Sequence, residues 1–489
     1  PVSASPLWGV YSSPTPEYIP IYTATQLPLP TVTPFILSIM PTAIPLSTVT
    51  PLPPTSTPVS GSPSTQTTKP PYLYYSQSGD TLGIVASHFS VEISQISSAA
   101  SLPESNVLLN PGTLLVIPNQ LDETIPEEQL LPDSEFTFSS TSLDFDTVTY
   151  VAEAGGYLRE YSEYLGTTGW TTGADGIARL ALENSINPRL LVALVEYESG
   201  WVLGQPSNLS ETDFPLGYEN PRHHGLFRQM MLAVQDLTVA YYGWRDGSLT
   251  ELTFPDGTTQ RIAPELNAGS VAIQYFFSLR LTPERWAQAM DPRIGFPALY
   301  AEMFGDPWAR AQTIEPLFPP KLEQPPLNLP FHPGIPWSLT GGPHSAWEHE
   351  GAMAALDFAP ASTLSGCVVT DKWVTASAPG LVVRSGQGVV VLDLDGDGYE
   401  QTGWNLLYLH IATEGRVALG TWLEADDRIG HPSCEGGVST GTHLHFARKF
   451  NGEWILADGP LPFNLGGWIA HNGEKPYLGT LTRNDYTIT

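Results

Sequence analysis

Hydrophobic positions recur along this chain in three rhythms, and each predicts a different element. The helical rhythm is clearest from Asn187, where the chain reads Asn-Pro-Arg-Leu-Leu-Val-Ala-Leu-Val-Glu-Tyr-Glu-Ser-Gly. Asparagine caps the free amides at a helix start, and proline suits the first helical position. Leu190, Leu191, Leu194, Val195 and Tyr197 then form a broad apolar face that ends at Glu198-Ser199-Gly200-Trp201. A glutamate at such an end, beside an aromatic, is open to desolvation, which raises its pKa and keeps it protonated for general acid work. Glu196 is two residues away, faces differently and is not assigned.

A mixed rhythm runs from Tyr72 to Asn119. Tyr74-Tyr75 and Leu114-Leu115-Val116-Ile117 bracket a helical pattern through Leu82, Ile84, Val85, Phe89 and Ile93. The order predicts strand, helix, helix, strand, with Asp80 capping a helix near Thr81 and Pro111-Gly112 turning into the last strand. The third rhythm has period two. Leu406-Leu407-Tyr408-Leu409-His410 is an apolar strand ending in a histidine, and Ala354-Ala355-Leu356-Asp357-Phe358 sets a lone carboxylate in an apolar run. In Ser439-Thr440-Gly441-Thr442-His443-Leu444-His445-Phe446 the two histidines point to one face of a strand.

Elsewhere the rhythms fail. Residues 1–70 are rich in Pro, Ser and Thr and nearly uncharged, which favours extended polyproline conformations and predicts a disordered stalk. Residues 121–145 are acidic and irregular, and 316–336 are proline-rich, so both read as linkers. The fold class is therefore multidomain. The stalk leads to a small βααβ unit (71–120), a mainly-α domain (146–315) and a mainly-β domain (337–489).

Composition narrows the function. The length of 489 residues suits about three domains at roughly 150 residues each. A net charge of −29 argues against nucleic acid as a partner. No apolar run is long enough to predict a membrane span. The chain opens on Pro1, consistent with a trimmed export signal. Cys367 and Cys434 both lie in the last third and are expected to pair as a disulfide in an exported domain. The geometry of the His443/His445 pair lets one imidazole bind a metal and the other act on water, and a buried Asp357 needs a compensating partner such as a metal.

Three resemblances give these patterns a common theme. Gly79-Asp80-Thr81-Leu82 and Pro111-Gly112-Thr113-Leu114-Leu115-Val116-Ile117-Pro118 resemble the opening and closing of a LysM module, with Ser78 where proline is usual. That resemblance implies binding to glycans containing N-acetylglucosamine. The Asn187–Gly200 string resembles the catalytic helix of lytic transglycosylases and goose-type lysozymes. Gly225-Leu226-Phe227-Arg228-Gln229 and Glu265–Ser270 are similar to two further elements of that family. It implies Glu198 as the acid and Gln229 lining the sugar cleft, with Glu211, Asp213 and Glu219 open as the second carboxylate. The stretch from Val202 to His224 is longer and more polar than the family's usual link.

The His-x-His string, with Asp357 and His410, resembles the lysostaphin, LytM and β-lytic metalloendopeptidase family. The resemblance implies a β-sheet groove with one zinc. His445 and Asp357 would be ligands, His443 the general base, and His410 a stabiliser of the tetrahedral intermediate. The first histidine ligand usually lies four residues before the aspartate, which here is Met353. His344, in a Gly-Pro-His context similar to the β-lytic branch, is the assigned ligand, and His349 is the alternative. Cys434 is not needed as a ligand, and His431 has no role.

Asp393, Asp395 and Asp397, with Gly at the sixth position, resemble the first half of an EF-hand loop and suit calcium. Trp404 stands where the closing glutamate is expected, and Asp-Gly equally suits a hairpin turn. Trp347, Trp404, Trp454 and Trp468 are expected mostly in the core. The combined expectation is a secreted, cell-wall-associated, monomeric bacterial peptidoglycan hydrolase with a zinc endopeptidase domain, anchored by LysM. The competing readings are a catalytically degenerate wall-binding scaffold or regulator and a single-activity peptidase.

Overall fold

The computed structural model describes residues 69–362 and 365–489. The expected stalk falls almost wholly outside the described residues. The first unit pairs β1 (Tyr72–Tyr75) antiparallel with β2 (Leu114–Ile117) and packs α1 (Leu82–Phe89) between them in sequence. Its core is Tyr74, Val85, Phe89, Leu115 and Ile117. The expected second helix shrinks to a 3₁₀ turn, Ile93–Gln95. The serines that follow divert the chain: Ser98 Oγ donates to Leu114 O and accepts from Ala100 N, competing with helical bonding. The cap of α1 is Thr81, which accepts from Ile84 N. Asp80 instead accepts from Tyr74 Oη and Gln77 N.

The helical region is built around α2 (Gly173–Asn184), α3 (Pro188–Ser199), α4 (Leu226–Arg245) and α5 (Ala268–Ser278). Helix α3 starts and stops on its local signals, with Asn187 accepting from Arg189 N and Gly200 in the left-handed region at the end. Residues Leu190 to Val195 are all fully buried, so α3 is apolar all round and central to the core.

Residues 121–145 are not a linker. Ile125, Leu131 and Phe136 join the helical core, and the short helix Asp133–Phe136 is wholly buried. The 316–336 stretch is likewise packed: Leu317 and Leu327 are buried, and Gln324 accepts from the buried Arg448.

The mainly-β region is built on one large antiparallel sheet. Its strands are β3 (Trp337–His344), β4 (Ala355–Pro360), β5 (Gly380–Gly386), β6 (Val389–Asp393), β7 (Trp404–Leu409), β8 (Trp422–Leu423) and β9 (Leu444–Phe450). Their spatial order is β8-β5-β6-β7-β9-β4-β3, with Glu453–Trp454 pairing on β9. Alternation sorts the side chains between two cores. Val390, Leu392, Leu406, Tyr408 and Phe446 face loops and a four-stranded C-terminal sheet. Val389, Val391, Leu407, Leu409, Ala447 and Trp454 share the core of the helical region. Side chains of this kind contribute about 1.5–3 kcal/mol each when buried. Together they amount to about 10 kcal/mol, as much as the whole net stability of an ordinary domain. The helical and β regions are therefore energetically one body, not beads on linkers.

Candidate metal centre and flanking sites

Strand pairing places the cluster. His445 on β9 stands directly opposite Asp357 on β4, and opposite Leu409, which precedes His410, on its other side. His344 reaches the same place from the end of β3, whose pairing with β4 is broken by two register shifts that re-aim it. The backbone crowds closely there: a side chain on Gly342 would meet Gly479 N at 2.1 Å.

One ligand atom from each of His344, Asp357 and His445 lies within 4.8 Å of the others, and all three residues are buried. His344 Nε2 is 3.0 Å from His445 Nδ1, and Asp357 Oδ1 is 3.3 and 3.2 Å from those atoms. The opposite ring nitrogens are already committed. His344 Nδ1 is 2.8 Å from Gly342 O, and His445 Nε2 is 2.9 Å from Ala346 O. Those carbonyls fix the protons, so a neutral His344 and a neutral His445 both turn lone pairs inward.

His443 and His410 complete the rim, with ring centres 4.4 Å apart. His443 Nδ1 is 2.8 Å from Gly441 O, and its Nε2 lies 3.6 Å from Asp357 Oδ1. His410 Nδ1 is 2.8 Å from Glu435 O, and its backbone sits at φ +66°. Burial, with His443 adding to it, pushes His410 down to about 4. His349, the alternative ligand, is exposed and outside the cluster. Met353 gives its carbonyl to Ala457 N at 2.8 Å. His431 is held by Lys372 O and packs on Trp373. Among the four tryptophans, Trp404 and Trp454 are buried, while Trp347 and Trp468 are half-buried.

Cys434 is unavailable to a metal because it is joined to Cys367, with a Cα–Cα distance of 5.8 Å. That disulfide staples the 365–368 loop to the segment leading into His443. Beside it, Thr442 Oγ1 donates to Val368 O at 2.6 Å and accepts from Val368 N at 2.7 Å. Tyr477 is a neighbour that sequence reasoning missed. Its ring stacks on His344 at 4.1 Å, and its carbonyl accepts from Gly342 N. No local pattern marks it, because the contact joins the C-terminal sheet to β3.

In the helical region, the Glu198 carboxyl has no hydrogen bond or ion pair among the described residues. Burial raises its pKa, partly offset by Arg280 and Arg285. Glu196 is spent on Val202 N and Leu203 N. Gln229, expected to line a cleft, is fully buried. Its amide bonds Leu216 N, Tyr218 N, Tyr218 O and His223 O, so it holds the 216–223 loop from inside. Glu211, Asp213 and Glu219 are engaged by Ser207, His224 and Ser210. Asp236, overlooked in the sequence, bonds Tyr218 Oη and shares Arg280 with Glu198.

The third group, Asp393, Asp395 and Asp397, falls in the loop joining β6 to β7. One carboxylate oxygen from each lies within 4.8 Å of the others. No helix among the described residues is long and apolar enough to cross a membrane.

Known proteins resemble both regions. Residues 129–318 match the family described as LasA, N-terminal domain. That match begins inside the stretch expected to be a linker, in agreement with the burial there. The chain is 26% identical over 356 residues to protease LasA of Pseudomonas aeruginosa (strain UCBPP-PA14), covering 69% of this chain and 78% of that protein. It is 27% identical over 134 residues to the β-lytic metalloendopeptidase of Lysobacter enzymogenes, covering 27% of this chain and 74% of that protein. Among solved structures, an M23 metalloprotease, pseudoalterin, from deep sea is 21% identical, with 34% of this chain and 94% of that one covered and a TM-score of 0.27. The chain is homologous to protease LasA and to the β-lytic metalloendopeptidases.

Proposed function

We propose that this protein is a secreted zinc endopeptidase that cuts peptides of the bacterial cell wall, with His344, Asp357 and His445 as its metal ligands. The observation that carries the reading is the convergence of one ligand atom from each of His344, Asp357 and His445 on one point, with the outer ring nitrogens of both histidines facing backbone carbonyls. Zinc bonds of about 2.0–2.2 Å at tetrahedral angles separate ligand atoms by about 3.3 Å. The observed 3.0, 3.2 and 3.3 Å fit that spacing. Asp357 Oδ1 is also a buried acceptor with no hydrogen bond of its own, as a metal ligand would be. Zinc held there would supply Lewis acidity toward water and toward a peptide carbonyl.

The chain's own residues move the protons. His443 keeps its proton on Nδ1, toward Gly441 O, and so presents Nε2 as a base. It accepts the proton of the attacking water and returns it to the leaving amine. His410 has the same tautomer, toward Glu435 O, so its neutral ring also offers an acceptor. It must first take up a proton before it can donate to an oxyanion. Once protonated, it would take the stabilising role at the tetrahedral intermediate that the resemblance implies for it.

Digestion of purified peptidoglycan, read by mass spectrometry on a sample of known zinc content, tests the reading. New amino termini that disappear with a chelator, at about one zinc per chain, are expected. A protein with neither zinc nor new termini would reduce the chain to a wall-binding scaffold.

The Tyr72–Ile117 unit would add glycan affinity. Its Gly79 end packs against Arg245, so glycan contact falls to the open face where Leu73, Tyr75 and Leu114 are exposed. Cleavage of glycan strands would rest on Glu198, whose half-buried carboxyl, raised by desolvation, supports an acid role. Loss of sugar fragments in Glu198→Gln is the expected result, and unchanged release removes that activity.

A further inference from the structure

We propose that the β6–β7 loop binds a calcium ion through Asp393, Asp395 and Asp397, with the amide oxygen of Asn405 as the acceptor beneath them. The donor set is all oxygen, which suits calcium and not zinc. Asp393 is fully buried at the end of β6, while Asp395 and Asp397 are exposed, so the group is rooted in the sheet and open on one side. The loop amides order these carboxylates. Asp393 accepts from Asp395 N, Gly396 N and Gly398 N, and Asp397 accepts from Tyr399 N. Each carboxylate has about four acceptor positions, so further lone pairs remain.

Asn405 supplies the independent observation. It is fully buried, and its Oδ1 has no partner. Leu394 N donates to Trp404 O, which makes that the hydrogen-bonded pair and leaves the adjacent Asp393–Asn405 pair non-hydrogen-bonded. Side chains approach most closely across such a pair. The Asn405 Nδ2 donates to Thr402 O, and Thr402 Oγ1 donates to Asp397, so the Asn405 side chain is tied to the acidic loop as well as paired across the sheet with Asp393.

The cations nearby are committed elsewhere. Lys449, opposite Asn405 on the other side, gives its ammonium to Glu400 at 3.0 Å, and Arg384 pairs with the same Glu400. This explains why neither Glu400 nor Lys449 serves the loop. Calcium would satisfy both the Asn405 oxygen and three crowded carboxylates, and Asn405 would supply the closing acceptor that Trp404 cannot.

The test uses the full chain with zinc retained, depleted of calcium by dialysis. We expect calorimetric titration to give one calcium per chain, with Kd on the order of 10⁻⁴–10⁻³ M as in extracellular modules, and a rise in melting temperature. The Trp422 ring lies against Gly396, so a terbium ion in the loop should give tryptophan-sensitised emission that calcium displaces. The exposed-site variant Asp395→Asn/Asp397→Asn should lose at least about tenfold in calcium affinity, as should Asn405→Leu, while peptide-bond cleavage by the zinc-loaded protein persists. Absence of heat, melting shift and terbium emission would overturn the proposal. So would unchanged affinity in the double variant, or a magnesium response equal to calcium's, which would mean general screening of acidic charge. None of these outcomes bears on the zinc site.

Discussion

At the scale of single residues, the proposed zinc site separates ligands from their supports, and each variant below is read on that proposal. His344→Ala removes a ligand, so zinc content and turnover should fall together. His443→Ala removes only the base. Zinc content should persist, and turnover should fall by about 10²–10⁴-fold, the usual weight of a positioned general base. Equal loss of zinc in both variants would place His443 among the ligands instead. On the same proposal, Tyr477 supports the metal through His344, on which its ring stacks. Tyr477→Ala removes the stacked ring and should weaken zinc about 10–100-fold, the range for supporting residues around a metal. Tyr477→Phe should retain tight zinc, and competition with a chromogenic chelator measures both. If Tyr477→Phe binds zinc normally but turns over slowly, the hydroxyl serves the reaction and not the ligand.

At the scale of elements, local signals were legible and distant ones were not. The α3 helix could be bounded from Asn187-Pro188 and Gly200 because capping is settled within four residues. The His443/His445 face followed from period two alone, and Asp357 from its isolation in an apolar strand. The 121–145 stretch was misread because its buried residues have no rhythm and their partners, such as Arg261 and Ser270, lie far along the chain. Gln229 was misplaced because an amide that lines a cleft and one that holds a loop look alike in sequence. Helix α1 carries a further consequence. His88 is stacked on Trp244, with Nε2 at 3.0 Å from Trp244 O, and burial pushes it down to about 3. Unfolded histidine titrates near 6.5. The stability that neutral His88 brings is therefore complete above about pH 6.5 and is lost as pH falls toward 3. The loss should be about 1.4 kcal/mol per pH unit at its steepest. Asp80, pushed up to about 6 by burial, works in the opposite direction over part of that window, so the difference between wild type and His88→Phe isolates the term. Urea unfolding between pH 6.5 and 4 measures it. Parallel pH dependence in the two proteins would show that His88 is charged in the folded state.

At the scale of the whole molecule, one side chain ties all three regions together. Arg245, at the end of α4, donates to Ser78 O in the first unit, to Asp133 at 2.9 Å, and to Glu453 at 2.9 Å beside the sheet. Tyr241 shares the site, and Phe318 from the proline-rich stretch packs under the guanidinium. Burial lifts the Glu453 carboxyl, and Arg245 offsets that in part. A buried ion network of this kind adds little over an apolar replacement of equal shape, yet breaking it by removing one partner is costly. Arg245→Ala should therefore lose about 3–5 kcal/mol at neutral pH, because Asp133 and Glu453 remain buried without their cation. The deficit should shrink in mild acid, since protonating either carboxyl removes the stranded charge; that direction is opposite to the His88 effect. The same variant tests whether the regions are one body. With the shared core intact, the wild-type protein should melt in a single transition. Arg245→Ala should loosen the Tyr72–Ile117 unit without releasing it, because Ser87 to Gly247, His88 to Trp244, Gln77 to Glu265 O and Arg261 to Ser87 O and His88 O remain. A loss below about 1 kcal/mol, the level of an exposed pair, would mean that water reaches the network and that apolar packing alone unites the molecule.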